Sequence, residues 1–217
     1  MSPEAKQAFK SLQERAKTVM MVAVNGRLIG LIAVADALKE DAVPAIQEIR
    51  KMGYETIMLT GDNWRTARAV AERLGIDDVY AEVMPDGKVE VVKKAQKKYG
   101  MVAMVGDGIN DAPALAAGDL GIAMGAAGSD VAMNSASIAL MSDDLRRLPF
   151  LVKLSRKTRR VINQNLIFGA TFIVLGVSAA KFVRPELAAV LHFVSALIVV
   201  FNSARLVRYG EELEHVA

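Results

Sequence analysis

The chain has no cysteine among its 217 residues, so neither disulfides nor thiolate chemistry enters its fold or its function. It also has little net charge. Lysines and arginines number 27 against 24 aspartates and glutamates, and an excess of +3 is too small to argue for nucleic acid as a partner. No secretory leader is visible, because Met1 opens a charged, amphipathic stretch. Internal repeats and low-complexity tracts are missing as well. Charge is absent locally too: residues 161–180 and 187–204 contain no charged side chain. Each run has about the length of a bilayer-crossing helix, roughly 20 residues. The linker Lys181-Phe-Val-Arg-Pro-Glu186 between them is short and polar at both ends. A transmembrane hairpin is predicted, with Asn163, Gln164, Asn165, His192 and Asn202 facing a helix bundle or the membrane boundary.

Basic residues orient that hairpin. Arg146, Arg147, Lys153, Arg156, Lys157, Arg159 and Arg160 precede the first span, and Arg205 and Arg208 follow the second. The connecting loop has Lys181 and Arg184, countered by Glu186. Both ends are therefore expected in the cytoplasm, on a multi-pass protein of the cell membrane.

What precedes the hairpin reads as alternating elements. Residues 4–16 place Ala5, Ala8, Phe9, Leu12 and Ala16 on one helical face. Strands over 19–24 and 28–35 flank Asn25-Gly26, a hairpin signal. Asp36 is expected to cap a helix over 39–52. A strand over 55–59 leads into Thr60-Gly61-Asp62, followed by a helix over 64–74 that stops at Gly75. A strand near Val79, a helix over 87–98 and a strand over 101–105 come next. A short helix from Asn110, a strand over 120–123 and a last one near 137–141 complete the series. Repeating strand–helix units predict one parallel α/β sheet with helices on both faces.

The chemistry concentrates where strands end. In Met101-Val-Ala-Met-Val-Gly-Asp-Gly-Ile-Asn-Asp111 an apolar strand runs into a turn carrying two carboxylates, Asp107 and Asp111. Open parallel sheets bind ligands at that edge. Magnesium is held by one or two carboxylates together with phosphate and water. Gly106 and Gly108 permit the tight backbone there. Thr60-Gly61-Asp62 ends another strand, so both loops can line one cleft, with the Thr60 hydroxyl and nearby N–H groups suited to a phosphoryl oxygen. Lys88, in Met84-Pro-Asp-Gly-Lys88, precedes a helix from which its ammonium could offset phosphate charge.

Together, Met58-Leu-Thr-Gly-Asp-Asn63, Pro85-Asp-Gly-Lys88 and Met104-Val-Gly-Asp-Gly-Ile-Asn-Asp-Ala-Pro-Ala-Leu115 resemble the P-type ATPases of the haloacid-dehalogenase (Rossmannoid) superfold. Further segments resemble the heavy-metal branch: Asp119-Leu-Gly-Ile-Ala-Met-Gly125, Gly128-Ser-Asp-Val-Ala132, Leu154-Ser-Arg-Lys-Thr158, Gln164-Asn165 and Asn202-Ser-Ala-Arg-Leu206. The soluble part reads most like copper exporters. The resemblance implies ATP-driven metal export through an aspartyl phosphate. Thr60 and Gly61 would contact the phosphoryl group with Asp62 beside them, and Lys88 would stabilise its charge. Asp107 would hold Mg²⁺, and Asn110 and Asp111 would order the site. The implied domains are 1–35, closing a nucleotide-binding domain; 36–150, a phosphorylation domain; 151–210, the hairpin; and 211–217, a tail.

The family's nucleophile lies in an Asp-Lys-Thr-Gly-Thr motif, and no such string occurs here. Asp36 follows an apolar strand but lacks the Thr-Gly-Thr, and reads better as a helix cap. The chain resembles the last third of such a pump, so the expected partners are the N-terminal part, the lipid bilayer and the transported ion. ATP would be bound with the missing nucleotide-binding domain, and the chain alone is expected not to turn over ATP. A separately encoded non-catalytic subunit or orphan module, and a stand-alone phosphatase of the same superfold, remain as alternatives. For the cargo, the resemblance points to His192 and Ser195 in His192-Phe-Val-Ser195-Ala196. Copper exporters are expected to carry a methionine there, and Tyr-Asn where this chain has Phe172-Ile173.

Overall fold

A computed structural model describes residues 3–14, 17–34, 38–107, 110–125 and 130–211. The chain divides into two compact units, Met1–Pro149 and Phe150–Ala217.

The first unit begins with helix α1 (Pro3–Glu14) and the antiparallel hairpin β1 (Thr18–Val24) and β2 (Arg27–Val34). Asn25 and Gly26 both have positive φ, +49° and +76°, the conformation a two-residue hairpin turn demands. Helix α2 (Ala42–Lys51) then opens the α/β series. Its cap position belongs to Asp41; Asp36 lies outside the described residues. Asp41 does not cap its own helix. Its carboxylate accepts instead from the Leu145 N–H, 104 residues away.

Strand β3 (Ile57–Leu59) and strand β4 (Asp78–Tyr80) pair in parallel across helix α3 (Trp64–Leu74). Asn63 caps α3 by accepting from Thr66 N at 3.1 Å, and Gly75 closes it at φ +71°. Helix α4 (Pro85–Tyr99) starts with proline in its first turn, where the missing N–H has no intrahelical partner to lose. Strand β5 (Ala103–Gly106), helix α5 (Ala112–Ala117), strand β6 (Leu120–Ala123), helix α6 (Asp130–Ser135) and strand β7 (Ile138–Ala139) complete the unit. Strands β5, β6 and β7 are parallel neighbours in that order.

The single sheet expected from the strand–helix alternation is two half-sheets, β3–β4 and β5–β6–β7. Among the described residues β3 pairs only with β4, and β5 only with β6. They nevertheless share a core. Val92 of α4, Met104 of β5, Ala114 and Leu115 of α5 and Ala123 of β6 form a buried cluster, and Leu59 of β3 packs against it. Small residues allow this closeness: a Cβ on Gly121 would lie 2.6 Å from the Leu115 carbonyl oxygen.

The second unit contains most of helix α7 (Arg147–Ala179) and helix α8 (Pro185–Glu211). Both are long and apolar enough to cross a membrane, and their apolar windows are 6% and 0% buried within the protein. They extend beyond the uncharged runs that the sequence delimits. Asn202 Nδ2 donates to Asn165 Oδ1 at 2.8 Å, and Asn165 Nδ2 donates to Ser203 Oγ at 3.0 Å. These interhelical bonds satisfy the amides that the uncharged runs left in need of partners.

Candidate functional site

The Thr60 loop is stitched to the segment that leads into α4. Thr60 N donates to the Tyr80 carbonyl at 2.9 Å, Val83 N donates to the Thr60 carbonyl at 3.1 Å, and Glu82 N donates to the Asp62 carbonyl at 2.8 Å. Within the loop, Thr60 Oγ1 donates to Asp62 Oδ2 at 2.9 Å and accepts from Asp62 N at 3.1 Å. This local turn fixes the hydroxyl at the carboxyl end of β3. Gly61 sits where a Cβ would meet the Val83 carbonyl at an ordinary 3.6 Å.

Five residues beyond Val83, Lys88 lies in the first turn of α4. Its Nζ is 2.5 Å from Asp111 Oδ1, and both side chains are largely buried, at 14% and 15% exposure. Asp111 is the residue before α5, and its carbonyl accepts from Leu115 N at 2.8 Å. Asn110, expected to open that helix, lies outside it and is exposed. Asp107 follows the last residue of β5 directly and is exposed.

Gly106 has a different task from the one its sequence context suggests. It is not among the glycines with positive φ. Its hydrogen faces Asp111 instead: a Cβ there would lie 2.5 Å from Asp111 Oδ2 and 2.8 Å from Asp111 Cβ. Gly108 lies outside the described residues. The Thr60 loop, Val83, Lys88, Asp111 and Gly106 thus form one connected path at the carboxyl ends of β3 and β5. The sequence pattern named Thr60, Lys88 and Asp111 but missed that Lys88 and Asp111 neutralise each other. A lysine three residues into a helix and a carboxylate 23 positions later carry no pairing signal in sequence alone.

A second carboxylate, also missed, steadies the outer end of β5. Asp119 accepts from Val102 N at 2.8 Å and from Gln96 Nε2 at 3.2 Å. The Val102 N–H first, and the Gln96 amide second, hold the Asp119 carboxyl below its ordinary range.

The donor set suits magnesium. Asp107 and Asp111 present hard carboxylate oxygens, and two carboxylates suffice where phosphate and water complete an octahedron. Among the described residues no group of three or more histidines, cysteines, aspartates or glutamates gathers into a dedicated cage. Of the two residues expected to meet the cargo, Ser195 is buried and its hydroxyl donates to the carbonyl of His192 at 2.7 Å within their own helix, and His192 is exposed.

A profile of the haloacid dehalogenase-like hydrolase family matches residues 3–119. Over 96% of its length the chain is 48% identical to a probable copper-exporting P-type ATPase of Archaeoglobus fulgidus. It is 45% identical to a cadmium-transporting ATPase of Staphylococcus aureus over 94%, and to a zinc-exporting P-type ATPase of Mycobacterium marinum over 98%. It spans 27%, 28% and 29% of those relatives' lengths, respectively. A zinc-transporting PIB-type ATPase solved in its E2.Pi state superposes with a TM-score of 0.78 at 36% identity, over 94% of this chain and 34% of that one. The chain therefore belongs to the haloacid dehalogenase-like hydrolases, in the branch of the heavy-metal-transporting P-type ATPases, and corresponds to their C-terminal part.

Proposed function

We propose that the chain supplies the phosphate-handling half of a heavy-metal cation exporter, while the attacking carboxylate comes from outside these residues. One observation carries the reading. The Thr60 loop at the carboxyl end of β3 is hydrogen-bonded to the segment that leads into α4, and Lys88 in the first turn of α4 pairs with Asp111 beyond the end of β5.

In this reading an aspartate of the N-terminal part attacks the γ-phosphorus of ATP. A new phosphorus–oxygen bond forms, the bond to the β-phosphate bridging oxygen breaks, and ADP leaves. Water then displaces phosphate and restores the carboxylate. Transfer of this kind is mostly positioning and charge stabilisation. Thr60 Oγ1, still held by the Asp62 N–H, turns its one proton from Asp62 Oδ2 to a phosphoryl oxygen. Lys88 releases Asp111 to share its charge with the phosphoryl group. Asp107 and Asp111 are the residues that would hold Mg²⁺, which offsets phosphoryl charge when bound.

Copper is the cargo we propose first, supported by the 48% identity to the copper-exporting relative. Cadmium and zinc relatives at 45% make the ion the quantity to measure. The chain, joined to or co-expressed with an N-terminal part carrying the missing motif, is reconstituted in vesicles and supplied with ATP. Accumulation of copper over zinc and cadmium supports the assignment, and preference for another ion replaces it. The chain alone is expected to show no vanadate-sensitive ATP hydrolysis; vigorous hydrolysis would overturn the reading.

A further inference from the structure

Position 82 holds a glutamate in a backbone conformation that glycine takes freely. Its φ is +57°, and among the described residues only one other non-glycine, Asn25 in the β1–β2 turn, has a positive value. A side chain kept in that region is strained, and the strain persists only where the surroundings over-determine it. Here the surroundings are the Thr60 loop.

The end of the β3–β4 ladder shows why the chain turns at this point. Thr60 N donates to the Tyr80 carbonyl, and Val83 N donates to the Thr60 carbonyl. Ala81 and Glu82 therefore bulge out between two bonds to the same residue. Glu82 uses the bulge twice. Its N–H donates to the Asp62 carbonyl at 2.8 Å, and its Oε1 accepts from Trp64 N at 3.3 Å. It grips the chain on both sides of Asn63. Trp64 is the first residue of α3, where an N–H has no acceptor within its own helix. Asn63 serves the Thr66 N–H, so the two side chains satisfy different donors of that helix end. A carboxylate also suits the positive end of the helix dipole. Glycine at position 82 would relieve the strain but lose the bond to Trp64.

The grip bears on Thr60 because Asp62 N is the donor that holds Thr60 Oγ1, at 3.1 Å. Once the hydroxyl proton turns to a phosphoryl oxygen, that N–H keeps Oγ1 in place, and Glu82 anchors the residue that carries it. We propose that Glu82 is a positioning residue for phosphoryl transfer, fixing the Thr60 loop through Asp62 and Trp64 without touching the reacting atoms. The proposal rests on the reading of Thr60 as a phosphoryl-binding residue. The accepted hydrogen bond is the working element, so glutamine keeps the function and glycine loses it.

The test uses the full chain co-expressed with an N-terminal part that carries Asp-Lys-Thr-Gly-Thr, with orthovanadate as the phosphate analogue. Glu82→Gly and Glu82→Ala are expected to slow labelling from γ-labelled ATP about tenfold and to raise the half-inhibiting vanadate concentration by a similar factor, with KM for ATP unchanged. Glu82→Gln stays within about twofold of the unaltered chain, because its amide oxygen accepts the same bond. Relief of strain offsets the lost bond in Glu82→Gly, which is expected to unfold at the temperature of the unaltered chain. A merely structural role would lower the amount of label and leave vanadate inhibition where it is. In the chain alone, amide exchange over residues 60–66 is expected to quicken in the glycine and alanine variants and not in the glutamine one. Glu90→Ala, at an exposed position of α4, is the control and changes none of these.

Unaltered vanadate inhibition in Glu82→Gly, or a glutamine variant that behaves like the alanine one, overturns the proposal. A complex that takes no label, or labels regardless of Lys88→Met, overturns the phosphoryl reading beneath it. A complex that labels, loses the label in Lys88→Met and keeps it in every Glu82 variant overturns the role of Glu82 alone.

Discussion

Lys88 Nζ lies 2.5 Å from Asp111 Oδ1, joining the first turn of α4 to the residue that opens α5. The pair is mostly withdrawn from water, so removing one partner strands a charge. Lys88→Met and Asp111→Leu are each expected to destabilise the α/β unit by about 2–3 kcal/mol. The double variant should cost clearly less than the sum, because neither charge is then left alone. Denaturant unfolding of the four proteins measures the coupling; strict additivity would mean that the contact contributes nothing.

Gly106 is expected to reject even one added methyl. A Cβ 2.5 Å from Asp111 Oδ2 must push that carboxylate away from Lys88. Gly106→Ala should cost about 1–3 kcal/mol, whereas Gly169→Ala and Gly176→Ala, which meet nothing within 4 Å, should be neutral or slightly stabilising. Thermal unfolding of the three variants checks the ordering.

Acid should loosen the end of the α/β unit nearest α7. The Arg146 guanidinium, bonded to Asp144, lowers the carboxyl of Asp144 from 3.8 to about 2. Because the folded value lies below the unfolded one, the stabilisation is present above about pH 4 and lost as pH falls toward 2. Asp144→Asn should therefore be less stable than the unaltered chain at pH 7, with the gap closing as pH drops from 5 toward 2. A gap constant with pH would contradict this cause.

The interhelical amide pair gives a fourth expectation. Asn202→Leu removes the 2.8 Å bond to Asn165 and leaves that amide with Ser203 alone. A loss of about 1–2 kcal/mol in hairpin stability is expected in a bilayer. Steric-trap unfolding in bicelles measures it, and an unchanged midpoint would show that the bond is replaceable.

Much of the fold could be read from local chemistry. Asn25-Gly26 announced the β1–β2 hairpin, Gly75 the end of α3, and the uncharged runs the two long helices, because each of these signals acts within a few residues. The division of the sheet could not be read that way. Strand pairing is a long-range property, and the short apolar runs at 57–59 and 103–106 do not state which edges meet. In the site, the sequence named Thr60, Lys88, Asp107 and Asp111 as types suited to phosphate and magnesium. It did not reveal the Lys88–Asp111 pair or the close approach at Gly106, since both depend on how α4 and β5 pack.

This chain is expected to handle a phosphoryl group whose acceptor lies outside it. Labelling with ATP carrying a radioactive γ-phosphate, followed by acid quench and separation of the chains, tests it most directly. The chain is mixed with a separately expressed N-terminal part that carries the Asp-Lys-Thr-Gly-Thr motif. The acid-stable label is expected on the N-terminal part, dependent on the presence of this chain and greatly reduced by Lys88→Met or Asp107→Asn. Label on this chain itself, or label on the partner that ignores both substitutions, would contradict the account.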